Sequence, residues 1–287
     1  MYKYYLIAFL IAIGISALLT PFVRMLSLKM KWVDKPNWRK INKRPIPLMG
    51  GLGIYTGFVL AKLFIIFKTP YALIPERLIG LLGASFIIVL VGFVDDTKGL
   101  SARRKLFYQI VAASIAVLSG FVILKVTNPL GLPFSVNFLI AFCLSVFWIV
   151  GFTNAINLMD GLDGLASGIS AIIALSLFFA GVRNGNSIIA IMSIALAGSA
   201  IGFLPYNFHP AKIFMGDTGS MFLGFVLALI SMEGAYKGAT FVTMMLPIVA
   251  MGVPVVDTGL SIIRRLIKGN GVFKADKEHI HHKLLFR

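Results

Sequence analysis

Asn154, Asn157, Asp160 and Asp163 break an otherwise apolar run at "NAINLMDGLDGLA", residues 154–166, at intervals of three. Amides and carboxylates are hard oxygen donors, suited to a divalent cation and to the phosphates such a cation carries. On a continuous helix each three-residue step turns about 300°, so Asn157 and Asp160 would share a face while Asn154 and Asp163 diverge. Gly161 and Gly164 disfavour a continuous helix. The spacing predicts a helix ending near Met159 and a tight turn that aims Asp160 and Asp163 back toward the protein. A merely solvated loop would ordinarily carry Lys, Ser or Glu, and this one has no basic residue.

Three further stretches carry similar chemistry. "VGFVDDTKGLSARRKLFYQ" holds adjacent Asp95 and Asp96, followed by Lys98, Arg103, Arg104 and Lys105. Neighbouring carboxylates repel, so a shared cation or proton is expected there; a charge-balanced loop is the plainer alternative. "NFHPAKIFMGDTGSM" supplies Asn207, His209, Lys212 and Asp217 between Gly216 and Gly219, with Ser220 expected to cap the following helix. A helix start beneath a Gly-rich turn suits an anion, and Asp217 would hold the accompanying cation. "FKADKEHIHHKL" adds Asp276, His279, His281 and His282. Zinc lacks a cysteine partner there, and hydrogen bonding to a diphosphate is the preferred reading. Asp257 lies within an apolar run, where a site and a structural ion pair with Arg264 or Arg265 are equally good readings.

The elements that must position these groups are membrane spans. The 287 residues are 58% hydrophobic and 13% charged, where a soluble protein would carry about a quarter charged residues. The mean hydropathy is +0.90. Apolar stretches of about 18 or more residues recur throughout. Nine spans are expected: about 4–26, 50–67, 78–94, 105–124, 134–153, 165–182, 187–205, 219–233 and 239–263. The sequence therefore predicts an all-α, polytopic membrane protein with one transmembrane domain over 1–287. The basic residues after the first apolar run argue against a cleavable signal peptide and place the amino terminus outside. The carboxyl terminus then falls in the cytoplasm.

The net charge of +16 fits the positive-inside bias better than nucleic-acid binding. On this layout 20 of the 27 Lys and Arg residues are cytoplasmic. Of eleven carboxylates only Glu76 and Glu233 fall toward the outside, and all four histidines lie inside. The positive-inside rule says little about acids, so a cytoplasmic-face site is the better account of their clustering. Lys68 and Arg77, on the outer face, are expected to be dispensable. The single Cys143 permits no disulfide framework.

Six motifs in order, "DKPNWRK", "PLMGGLGIY", "VGFVDD", "NAINLMDGLDGLA", "PAKIFMGDTGS" and "HIHH", make the chain resemble the polyprenyl-phosphate N-acetylhexosamine-1-phosphate transferases. "DGLDG" and "HIHH" are closer to the WecA/TagO branch than to the MraY branch, which uses UDP-muramoyl-pentapeptide. The resemblance implies transfer of N-acetylglucosamine-1-phosphate from UDP-GlcNAc to undecaprenyl phosphate, releasing UMP, with Mg²⁺ (or Mn²⁺ as substitute), at the bacterial inner membrane. It implies a homodimer as well. Asp95 and Asp96 match the pair beside the lipid phosphate, one of them a base. Asp160 and Asp163 match the second acidic pair, and Asn157 and Asp217 the Mg²⁺ ligands. Lys105, Asn154, Asn207, His279, His281 and His282 match the substrate-binding set. Two departures stand out: Asn42 replaces a common His, and the family usually continues for one or two spans beyond this chain's Arg287. The rival class is an ion-coupled transporter, but no internal repeat is visible and the acids favour one face.

Overall fold

The computed structural model describes residues 1–34, 44–68, 75–126 and 134–236. The expected ninth span at 239–263 lies outside the described residues, as do Asn42, Asp257, Asp276, His279, His281 and His282. Within them the chain forms helices α1 (Tyr2–Lys29), α2 (Gly51–Lys68), α3 (Pro75–Lys98), α4 (Ala102–Leu118), α5 (Phe138–Met159), α6 (Leu165–Arg183), α7 (Ser187–Asn207) and α8 (Gly216–Tyr236). Two short antiparallel pairs, β1 (Val33–Asp34) with β2 (Ile46–Pro47) and β3 (Lys125–Val126) with β4 (Phe134–Ser135), clip the loops between helices. Among the described residues, α1, α2, α3, α5, α6 and α7 are long and apolar enough to cross a bilayer. The protein is an all-α membrane protein.

Helix α8 is the axis. Its side chains from Thr218 to Glu233 are buried on every side, as expected of a helix that is apolar all round. Helices α3 and α5 make its largest contacts, with α2, α6 and α7 completing the wall. Small residues permit this closeness: a Cβ on Gly51 of α2 would lie 2.2 Å from the backbone nitrogen of Gly219 on α8. In the bilayer such close backbone approach substitutes for hydrophobic driving force. On α1, Ala8, Ala12, Ser16 and Thr20 form a buried stripe at four-residue spacing, which packs between α2 and α7.

Helix α5 runs past the expected apolar span's end at 153 to Met159, where the polar spacing predicts its end, and so carries Asn154 and Asn157 within regular helix. One boundary differs from that expected. Helix α4 stops at Leu118, well short of 124. Gly120 there takes φ +104, a conformation glycine adopts at little cost. The chain beyond it is held by α5, where Ser145 Oγ accepts from Ile123 N at 2.9 Å.

The loop ahead of α8 is held by backbone bonds. Phe214 N donates to Pro47 O at 2.8 Å, Gly50 N to Phe214 O at 3.0 Å and Gly51 N to Met215 O at 2.9 Å. The Pro-rich segment before α2 thus fixes where α8 begins. From α1, Arg24 Nε adds a bond to Lys212 O at 3.1 Å.

Candidate active site

The carboxyl ends of α3 and α5 and the amino ends of α4 and α8 meet at one end of the bundle. Ser101 caps α4 by accepting from Arg104 N. In that first turn Arg103 and Arg104 face outward, while Lys105 turns inward with only 15% of its side chain exposed. Its ammonium donates to Asn157 Oδ1 at 3.2 Å and lies 3.0 Å from Asp95 Oδ2. It also bonds Asp217 Oδ2. Three helices, α3, α5 and α8, therefore send one oxygen each to a single cation. Asp217 is held in turn by Asn157, whose Nδ2 donates to Asp217 Oδ1 at 2.6 Å and to Ser220 Oγ at 2.8 Å.

Asp95 and Asp96, equivalent in sequence, separate in space. Asp95 Oδ1 accepts from Leu100 N at 2.6 Å, which closes the turn between α3 and α4. Asp96 caps α8 from a neighbouring helix: Oδ1 accepts from Asp217 N at 2.8 Å, and Oδ2 accepts from Thr218 N at 3.0 Å and Thr218 Oγ1 at 2.7 Å. A carboxylate there satisfies orphan N–H groups and meets the positive end of the helix dipole. Ser220, expected as the cap, is not the cap, because α8 starts a turn earlier, at Gly216. Its hydroxyl donates back to Gly216 O at 3.0 Å. Gly216 is required at that start, with φ +72 and no room for a Cβ beside Asp96 Oδ2.

Asp160 terminates α5, as the spacing predicts. Its pKa lies well above the ordinary carboxylate range, first because burial strips its water, then because Asp217, Asp96 and Asp163 repel its charge. Among the described residues its carboxylate accepts no hydrogen bond. Asp163 turns instead to the loop before α8, where Oδ2 accepts from Ala211 N at 3.0 Å and contacts His209 Nδ1 at 2.9 Å.

Comparisons with known proteins show the family. The glycosyl transferase family 4 profile matches residues 78–235. The chain is 40% identical to a Bacillus subtilis (strain 168) protein named "Probable undecaprenyl-phosphate N-acetylglucosaminyl 1-phosphate transferase", over 97% of this chain and 76% of the relative. It is 36% identical to the decaprenyl-phosphate N-acetylglucosaminephosphotransferase of Mycobacterium leprae (strain TN), covering 93% and 73%. With the phospho-N-acetylmuramoyl-pentapeptide-transferase of Oceanobacillus iheyensis it shares 34% identity, over 97% and 88%. The chain belongs to glycosyl transferase family 4.

The family 4 match spans α3 to α8, the helices that supply the cluster. Of the expected site residues, Asp95, Asp96, Lys105, Asn157 and Asp217 meet directly, with Asp160 beside them. Asn154 sits one turn behind, where its Nδ2 donates to Gln109 Oε1 at 2.7 Å and to Val150 O at 2.8 Å. Asn207 is buried, and its amide is committed to protein. Oδ1 accepts from Gly164 N at 3.2 Å and Ser167 Oγ at 3.0 Å, and Nδ2 donates to Ile213 O at 3.1 Å. It ties the start of α6 to the loop before α8. Gln109 and Thr218 were not singled out from the sequence. Gln109 was findable, since an amide four residues after Lys105 shares its helix face.

The residues present fit a hard divalent cation. The observation that tests this is the Lys105 ammonium, a cation already seated among two carboxylates and an amide oxygen. Among the described residues no three acidic or histidine side chains form a closed cage. Mg²⁺ does not need one, because it commonly keeps waters and takes the rest of its shell from substrate phosphates.

Proposed function

We propose that this chain transfers N-acetylglucosamine-1-phosphate from UDP-GlcNAc to undecaprenyl phosphate at the cytoplasmic face of a bacterial inner membrane. The observation that carries this reading is the convergence of Asp95, Asn157 and Asp217 on Lys105 at one end of a family 4 helix bundle. The relatives' names supply the substrate class, the basic bias of the loops at that end supports a cytoplasmic site with the amino terminus outside, and the recurrence of apolar stretches along the sequence supports nine spans.

In the reaction an oxygen of the lipid phosphate attacks the β-phosphorus of the donor. One O–P bond forms there, and the bond from that phosphorus to the UMP oxygen breaks. Both reactants are anions, so the site must offset their repulsion. Asp217 and Asn157 would hold Mg²⁺, which supplies a Lewis acid beside the donor diphosphate and neutralises charge on departing UMP. Lys105 adds a positive charge at the same point. Asp95, partly exposed beside Lys105, takes the proton if the acceptor phosphate arrives protonated. Asp96 orients Asp217 by fixing the start of α8. Asp160 and Asp163 flank the cluster, and His279, His281 and His282 are assigned to the nucleotide sugar by the family resemblance.

The test is exchange of radiolabelled UMP into UDP-GlcNAc by the purified protein with prenyl phosphate and Mg²⁺. Exchange that needs all three supports the reading. UDP-MurNAc-pentapeptide run in parallel separates it from the muramoyl-pentapeptide alternative, which the relatives at about one-third identity keep in play.

A further inference from the structure

The Lys105 ammonium is held by helices other than its own. Its three acceptors belong to α3, α5 and α8, and they include the oxygens just assigned to the metal. Building on the proposed function, we infer that Lys105 is a tethered counter-cation that shares its oxygens with the divalent ion by turns, so that metal uptake turns its ammonium out toward the incoming phosphates.

Four features carry this. First, the cluster is strongly acidic: Asp95 and Asp217 share the Lys105 ammonium, and Asp160 lies within electrostatic reach of Asp217, Asp96 and Asp163. Among the described residues Lys105 is the cation seated inside it, since Arg103 and Arg104 of the same turn are exposed. One positive charge leaves the cluster negative, which favours exchange for a doubly charged ion. Second, the competition is for the same atoms. An ammonium holds its acceptors near hydrogen-bond distance, whereas Mg²⁺ draws oxygens to about 2.0–2.1 Å. Both cannot occupy one trio of oxygens.

Third, the geometry lets Lys105 leave without disturbing its helix. Lys105 N donates to Ser101 O at 3.0 Å and Ser101 caps the turn, so the backbone is fixed and only the flexible four-carbon stem need swing. Fourth, the cluster edge is open enough for that swing, because the side chains of Lys105, Asp95 and Asp217 keep 15%, 15% and 28% exposure. Lys105 is a positioning residue before the metal arrives and a phosphate contact afterwards. Its charge stays in the site in both states.

The test uses the full chain in detergent micelles with Mn²⁺ as the probe, read by loss of the free-ion electron paramagnetic resonance signal, and thermal melting in EDTA or saturating Mn²⁺. Lys105→Met is expected to bind Mn²⁺ about tenfold more tightly than wild type, since it removes the tethered competitor. It should melt several degrees lower in EDTA, where the acids are left uncompensated, and recover with Mn²⁺. Lys105→Arg, which keeps the charge, should match wild type in EDTA. If Lys105→Met does not survive chelation, Lys105→Gln repeats both measurements. Unchanged or weaker Mn²⁺ binding by the neutral variants, or melting in EDTA equal to wild type, overturns the inference and leaves the proposed reaction standing. Mn²⁺ binding absent from wild type, or undiminished in Asp217→Asn, overturns both.

Discussion

Asp96 on α3 holds Thr218 on α8 twice, accepting its backbone N–H at 3.0 Å and its hydroxyl at 2.7 Å. The same carboxylate accepts the N–H of Asp217 at 2.8 Å. A side chain from one helix thereby sets the starting point of another and, with it, the aim of Asp217 into the cluster. Adjacent acids in the "VGFVDD" stretch divide the labour: Asp95 faces the Lys105 ammonium, and Asp96 builds the wall behind it.

Removing that cap should cost stability before it costs chemistry. Asp96→Ala leaves two backbone N–H groups and a hydroxyl without their acceptor, and a loss of about 2 kcal/mol or more is expected. Asp96→Asn keeps one acceptor oxygen and should fall between. Thermal melting of the purified variants in detergent checks the order; an Asp96→Ala protein as stable as wild type would remove Asp96 from this role.

The raised pKa of Asp160 has a definite sign. The folded protein holds that proton to higher pH than the unfolded chain does, so the contribution is complete below the ordinary carboxylate range and is lost as pH rises through the raised value. Asp160→Asn should therefore be more stable than wild type at about pH 8 in EDTA, with the gap closing toward about pH 4. Melting curves across that range decide it. A gap that stays constant with pH would show that burial and neighbouring acids do not act on Asp160 in this way.

At the far end of the bundle, Arg77, expected from the sequence to be dispensable, pairs with a buried acid. Its Nη1 lies 2.7 Å from Glu233 Oε2, and Glu233 is only 2% exposed. Lys62, fully buried on α2, lies within electrostatic reach of the same glutamate. Breaking a buried pair by removing one partner typically costs about 3–5 kcal/mol, so Arg77→Met should melt markedly lower. Lys68, exposed at the end of α2, should tolerate Met within about 0.5 kcal/mol. Equal tolerance at both positions would contradict the buried pair.

Much of this arrangement was legible in the residues, for identifiable reasons. Apolar length gave most of the spans, because the bilayer imposes it. The amide and acid spacing after residue 154 gave the end of α5 at Met159, because two glycines there disfavour further helix. The divided roles of Asp95 and Asp96 were not legible, since they depend on how α3 lies against α8. The same holds for the bonds by which Asn207, an expected substrate contact, ties α6 to the loop before α8. Both bonds join helices far apart in the chain, and sequence spacing reports only local geometry. The Arg77–Glu233 pair was not legible for the same reason, because the partners are 156 positions apart.

The central claim is that Asp217, positioned by Asp96 and Asn157, holds the cation that lets two anionic reactants meet. Its most direct test is UMP exchange into UDP-GlcNAc by Asp217→Asn, with melting measured on the same preparation. Removing a metal-holding carboxylate is expected to lower exchange by about a thousandfold or more, since it withdraws transition-state charge stabilisation, while melting stays close to wild type. Exchange at the wild-type rate in a folded Asp217→Asn protein would contradict the account.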